Sequence, residues 1–137
     1  YRFWSRSGRS EIWIAPAECE PVVLGCTVSF GIMVMRRSPP RGKPTTVFLQ
    51  RFGHSATRNR IDLEGAHLKA YITLQEVKTD DSQMTRGDCI VSSRGRIIGC
   101  GWWDKGILTN AWPKHYVGQL PDGAPFIVGD DLSRTDD

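Results

Sequence analysis

Glycine and proline interrupt this chain about every sixth residue, and that spacing restricts it to short elements. The 14 glycines and 8 prolines are spread along all 137 residues rather than gathered into one linker. Short strands ended by turns tolerate such punctuation, and long helices do not. In Glu11–Ala15, Ile12 and Ile14 alternate with Trp13, and Pro16 closes the run. Leu24, Cys26 and Val28 share one face at period two. Ile32–Met35, Thr45–Leu49 and Arg60–Leu63 predict further strands, and the breaker cluster Ser38–Pro44 predicts a loop. Leu68, Ala70, Ile72 and Leu74 alternate with Lys69, Tyr71 and Thr73, which predicts another strand, although several of these residues also favour helices. The basic, aromatic start at Arg2, Phe3 and Trp4 reads as an arm or an edge strand.

Cys89–Cys100 reads as a β-hairpin turning at Arg94-Gly95. A two-residue turn there places Cys89 opposite Cys100 and Val91 opposite Ile98. Trp102 and Trp103 extend the second strand and, with Trp112, His115 and Tyr116, form the densest aromatic group, read as the core of a C-terminal extension. Leu120–Gly123 predicts a turn and Pro125–Val128 a last strand.

The composition is globular, with 39% hydrophobic and 24% charged residues. The longest apolar stretch, Val22–Met35, falls short of the roughly 18 residues of a membrane helix, so no transmembrane segment is expected. Charge is uneven. Residues 21–61 hold Arg36, Arg37, Arg41, Lys43, Arg51, Arg58 and Arg60 with no acid, while the end of the chain is acidic. Such a stretch attracts phosphate or sulfated sugar, or pairs with the acidic tail. Its own aromatic residues are few: Phe30, Phe48 and Phe52. The four cysteines, Cys19, Cys26, Cys89 and Cys100, suit an oxidising compartment and allow three pairings. They lack zinc spacing, and no phosphate-cradling glycine loop or dinucleotide fingerprint is present, so neither metal nor cofactor is expected.

Pro21–Ser82 resembles an immunoglobulin V-set domain. Leu24-x-Cys26-x-Val28 looks like strand B, Met35–Lys43 like strand C and its turn, and Thr46–Leu49 like strand C′. Arg60–Leu63 looks like strand D, and Ile72–Ser82 like strand E and its corner. The resemblance implies a Cys26–Cys89 disulfide, with Cys19 and Cys100 as the remaining pair, and a salt bridge from Arg60 to Asp81. The hairpin register offers Cys89–Cys100 as the rival pairing. The strand-C tryptophan and the corner tyrosine of the family are absent.

Gly87-Asp88-Cys89, followed by the hairpin, also looks like the nucleophile region of a chymotrypsin-like viral cysteine protease. That reading makes Cys89 the nucleophile, His54 the base and Asp62 or Glu64 its orienter. Ile90 and Val91 stand where the oxyanion turn needs glycine. Arg86-Gly87-Asp88 is a tripeptide that some integrins bind.

The expectation is an all-β protein: a two-sheet antiparallel β-sandwich, immunoglobulin V-like, over residues 1–103, with an extension and acidic tail over 104–137. The expected function is non-catalytic recognition at a cell surface or in extracellular fluid. The partner is a protein or a sulfated or sialylated glycan, held by Arg36, Arg37, Arg41, Lys43 and Arg51. The alternatives are a degenerate protease or structural β-barrel from a viral polyprotein, and an intracellular nucleic-acid-binding β-domain.

Overall fold

The computed structural model describes residues 1–5, 7–19, 30–38, 41–112, 114 and 117. The strand expected through Leu24, Cys26 and Val28, together with His115, Tyr116, the turn at Leu120–Gly123, the strand at Pro125–Val128 and the acidic tail, lies outside the described residues. The chain divides into two compact units, Tyr1–His54 and Ser55–Asp137. Trp103 and Asp104, on either side of the expected boundary, both lie in a strand that pairs with the next one. The fold is β-rich with two sheets, one in each unit.

The first unit holds a four-stranded sheet of β1 (Arg2–Trp4), β2 (Glu11–Ala15), β3 (Ile32–Ser38) and β4 (Arg41–Pro44), each antiparallel to its neighbour in chain order. The basic start is thus an edge strand. Trp13 faces Met33 but Ile12 faces Met35, so Val34 is an extra residue that bulges β3. Where breakers predict a loop, Arg36 pairs with Lys43, Arg37 with Gly42 and Ser38 with Arg41. Pro44 is tolerated because β4 is an edge strand.

Thr45–Leu49, expected as a strand, leads into helix α1 (Thr46–Phe52). The cause is capping. The Thr45 hydroxyl accepts the Phe48 N–H at 3.2 Å and donates to the Met33 carbonyl, while the Thr45 N–H donates to Val34 O at 2.9 Å. Phe48 and Phe52 then stand one turn apart with rings 5.2 Å apart. Among the described residues of this unit, Ile14, Ala15, Val34 and Leu49 are the buried hydrophobic ones.

The second unit holds β5 (Arg60–Asp62), β6 (Val77–Lys78), β7 (Gly87–Ser93), β8 (Arg96–Asp104) and β9 (Ile107–Asn110), in the order β5-β7-β8-β9-β6. β5 runs parallel to β7, so this sheet is mixed rather than antiparallel. The run read as a strand through Leu68–Leu74 is helix α2 (Gly65–Ile72). Its buried stripe is Leu68, Tyr71 and Ile72, the three-and-four spacing of a helix. The segment read as immunoglobulin strand C′ is therefore helical, while of that read as strand E and its corner only Ile72 is helical and Val77–Lys78 form β6; what is seen is general β-rich topology.

Tyr71 explains the Gly99-Cys100-Gly101 segment. Its hydroxyl donates to Cys100 O at 2.8 Å, and its ring meets Trp112 at 5.7 Å. A Cβ on Gly99 would lie 2.6 Å from that hydroxyl, and one on Gly101 2.7 Å from Leu108. Around Tyr71 the core gathers Leu63, Ile72, Val77, Val91 and Leu108.

Asn59 ties the parallel strand in place. Its Oδ1 accepts from Thr85 N at 2.9 Å and Thr85 Oγ1 at 3.0 Å, and its Nδ2 donates to Thr85 O at 2.8 Å and Asp88 O at 3.2 Å. Its carbonyl accepts from Ile90 N at 2.8 Å. It does this at φ 49°, a region asparagine tolerates better than most residues. Asn59→Ala is expected to cost about 3 kcal/mol, from the lost hydrogen bonds and the less tolerated backbone. Asn59→Gly keeps the backbone freedom and should recover part of that loss in urea unfolding; equal stability of both variants with the parent would contradict the clamp.

Candidate functional site

The β3–β4 hairpin collects four of the five cations expected to bind an anion. Residues directly opposite share a face, so Arg36 and Lys43 stand together, and Arg41 joins them two positions along β4. Glu11 stands opposite Arg36 on its other side. Arg37 pairs with Gly42 and projects on the reverse face, beside Met35. All four cations are exposed, as is Arg51 in the last turn of α1. The expected patch is thus one hairpin whose two faces carry different chemistry.

The reverse face borders a shallow cleft of about 430 Å³, lined by Phe3, Trp4, Ser5, Ile12, Val34, Met35 and Arg37. Trp4 is fixed there. It stacks on Trp13 with centroids 5.8 Å apart, and its Nε1 donates to Phe30 O at 3.0 Å. Phe3 remains 63% exposed and Tyr1 65% exposed, the latter edge-on to Phe52. The sequence marks Arg2, Phe3 and Trp4 as a basic, aromatic start, but one that reads as an arm or edge strand rather than as part of a site. Residues 1–54 carry eight lysines and arginines against three acids, whereas residues 55–137 carry ten against twelve. The net positive charge of the chain therefore belongs to the unit that holds the cleft.

The expected disulfides are corrected. Cys19, Cys89 and Cys100 are thiols, so neither Cys26–Cys89 nor Cys19–Cys100 is formed; Cys26 itself lies outside the described residues. The rival Cys89–Cys100 bridge fails for a geometric reason. The Arg94-Gly95 turn forms as expected, but Ser92 faces Ile97 while Val91 faces Gly99, so Ile98 is an extra residue. Beyond it, Cys89 faces Gly101 and Cys100 faces Ile90. Cys89 is 1% exposed, and burial, reinforced by Cys100 and Asp81, pushes its thiol pKa up to about 12. It is held protonated and out of solvent, the opposite of what a nucleophile needs. Asp62 is exposed, with Oδ1 accepting the Gly95 N–H at 3.2 Å, and His54 is exposed at the end of the first unit.

Other singled-out residues have local roles. Arg60 donates to Ala56 O, and Asp81 accepts from Gln83 N at 2.9 Å. Arg86 pairs with Asp104 at 3.3 Å, and Gly87 and Asp88 open β7, so Arg86-Gly87-Asp88 leads into a strand. Among the described residues no three His, Cys, Asp or Glu side chains are placed to hold a metal ion, and no helix is long and apolar enough to cross a membrane. No family model matches the chain, and a search of curated proteins finds no match.

The thiols are directly testable. Iodoacetamide at pH 8 is expected to label exposed Cys19 in the native protein and to spare Cys89 and Cys100, which react only after unfolding. Because the folded state holds the Cys89 proton above the ordinary 9.0, this group's contribution to the unfolding free energy should be flat below pH 9. It should fall as the pH rises toward 12, by at most about 1.4 kcal/mol per pH unit from this group. Native labelling of Cys89 would contradict its placement.

Proposed function

We propose that this chain is a non-catalytic recognition module that binds an anionic ligand along the β3–β4 hairpin. The observation that carries the reading is the placement of Arg36 directly opposite Lys43, with Arg41 on the same face. Like charges directly opposite one another in a sheet are destabilising. One acid, Glu11, stands across from Arg36, on the far side from Lys43. A bound anion would be held between the two cations at once. The positive balance of residues 1–54 supports the same reading, since it draws anions to this unit from a distance. A catalytic role for Cys89 is the weaker reading, because its thiol is buried and its pKa raised.

Heparin, a soluble polyanion, provides the test. Binding should weaken steeply with salt, and Arg36→Gln and Lys43→Gln should each weaken it several-fold. Lys43→Glu should abolish binding, because it reverses the charge directly opposite Arg36. Heparin affinity unchanged by all three substitutions would overturn the assignment.

A further inference from the structure

We infer that the cleft across β1, β2 and β3 is a ligand site in its own right, for a small acid with one apolar chain, whose carboxylate pairs with Arg37. The site stands apart from the Arg36, Arg41 and Lys43 face, because Arg37 follows Arg36 on one strand and neighbouring residues of a strand point to opposite sides. The cleft volume, about 430 Å³, lies in the range of small-molecule sites. Its floor is apolar, from Ile12, Val34 and Met35. The Trp4 Nε1 is already used on Phe30 O, so Ser5 and Arg37 carry the polar side-chain groups left for a ligand. Arg37 is exposed, and among the described residues no carboxylate is paired with it.

That lining selects the occupant. A peptide would bring an N–H and a carbonyl with every residue, and an apolar floor leaves such groups without partners. An inorganic anion would use the guanidinium and leave the floor idle. A chain with one charged end uses both, and a guanidinium holds a carboxylate by two parallel hydrogen bonds. Length follows from the register. Arg37 lies two residues beyond Met35, which faces Ile12, and Ile12 lies two residues from Ile14, which faces Phe3. Four residues of rise, about 13 Å, therefore separate Arg37 from Phe3 along the strands, so the acid needs a chain of several carbons. The Met35 side chain runs toward β4, into space that a Cβ on Gly42 would contest at 3.0 Å from Sδ, and so lies to one side of the cleft floor. Trp4, stacked on Trp13, is fixed in place before any ligand arrives.

The test is isothermal titration calorimetry of the full chain with three probes: octanoate, 1-octanol, which has the same chain length without the charge, and acetate, which has the charge without the chain. Octanoate is expected to bind about fivefold more tightly than 1-octanol, from the charge-assisted hydrogen bonds to Arg37, and acetate to show no saturable heat. Arg37→Gln should lower octanoate to the 1-octanol level and leave 1-octanol unchanged. Phe3→Ala should weaken octanoate and 1-octanol alike, by several-fold. Val47→Ala removes an apolar side chain that is 61% exposed and outside the cleft, and should change neither. Equal binding of octanoate and 1-octanol, or octanoate binding indifferent to Arg37→Gln, would overturn the carboxylate assignment. Absence of octanoate binding at millimolar concentration, with heparin still bound, would overturn the cleft site and leave the hairpin reading standing.

Discussion

One extra residue in each sheet decides which side chains share a face, and most of what this protein presents follows from those two positions. In the first sheet the extra residue is Val34. Without it, the register from Ile14 and Ile32 would run on to place Glu11 opposite Met35. With it, Glu11 meets Arg36, and Ile12 meets Met35. The bulge therefore gathers Val34, Met35 and Arg37 at the cleft and sends Arg36, Arg41 and Lys43 to the opposite side. In the second sheet the extra residue is Ile98, and it moves Cys100 out of line with Cys89.

The two units spend their residues differently. The second is organised inward, around a Tyr71 hydroxyl that fits only because position 99 has no side chain, and around Asn59, which joins two segments far apart in sequence. Its cysteines serve as small buried side chains, and Cys89 is kept protonated by burial. Among the described residues the first unit has fewer buried apolar side chains, and it leaves aromatic rings and cations in solvent. Arg36 opposite Lys43 is the pair that the proposed anion binding would use.

Much of the local structure was legible in the residues. The alternation of Ile12, Trp13 and Ile14, the run from Ile32 and the Arg94-Gly95 turn each specify their strand or turn by local rules, and the structure follows them. The helices were not legible by period two. Leu68, Ala70, Ile72 and Leu74 alternate well, but burial follows Leu68, Tyr71 and Ile72 because the Tyr71 hydroxyl finds a carbonyl on β8, a partner 29 residues away. The disulfide expectation failed for a related reason: a bulge is set by tertiary packing and leaves little mark in the strand sequence. At the candidate site the cations were visible as a cluster, but which residues of β2 stand opposite them depends on Val34, and the placement of the β1 aromatic residues depends on its pairing with β2.

The central claim is that the first sheet, through its bulged strand and its basic edge, is the binding surface. Backbone amide shifts of the labelled full chain, followed by nuclear magnetic resonance during titration with a heparin fragment, test it most directly. The account predicts saturable changes concentrated at residues 34–43, with residues 87–110 little altered. Changes centred on residues 87–110, with 34–43 unmoved, would contradict it.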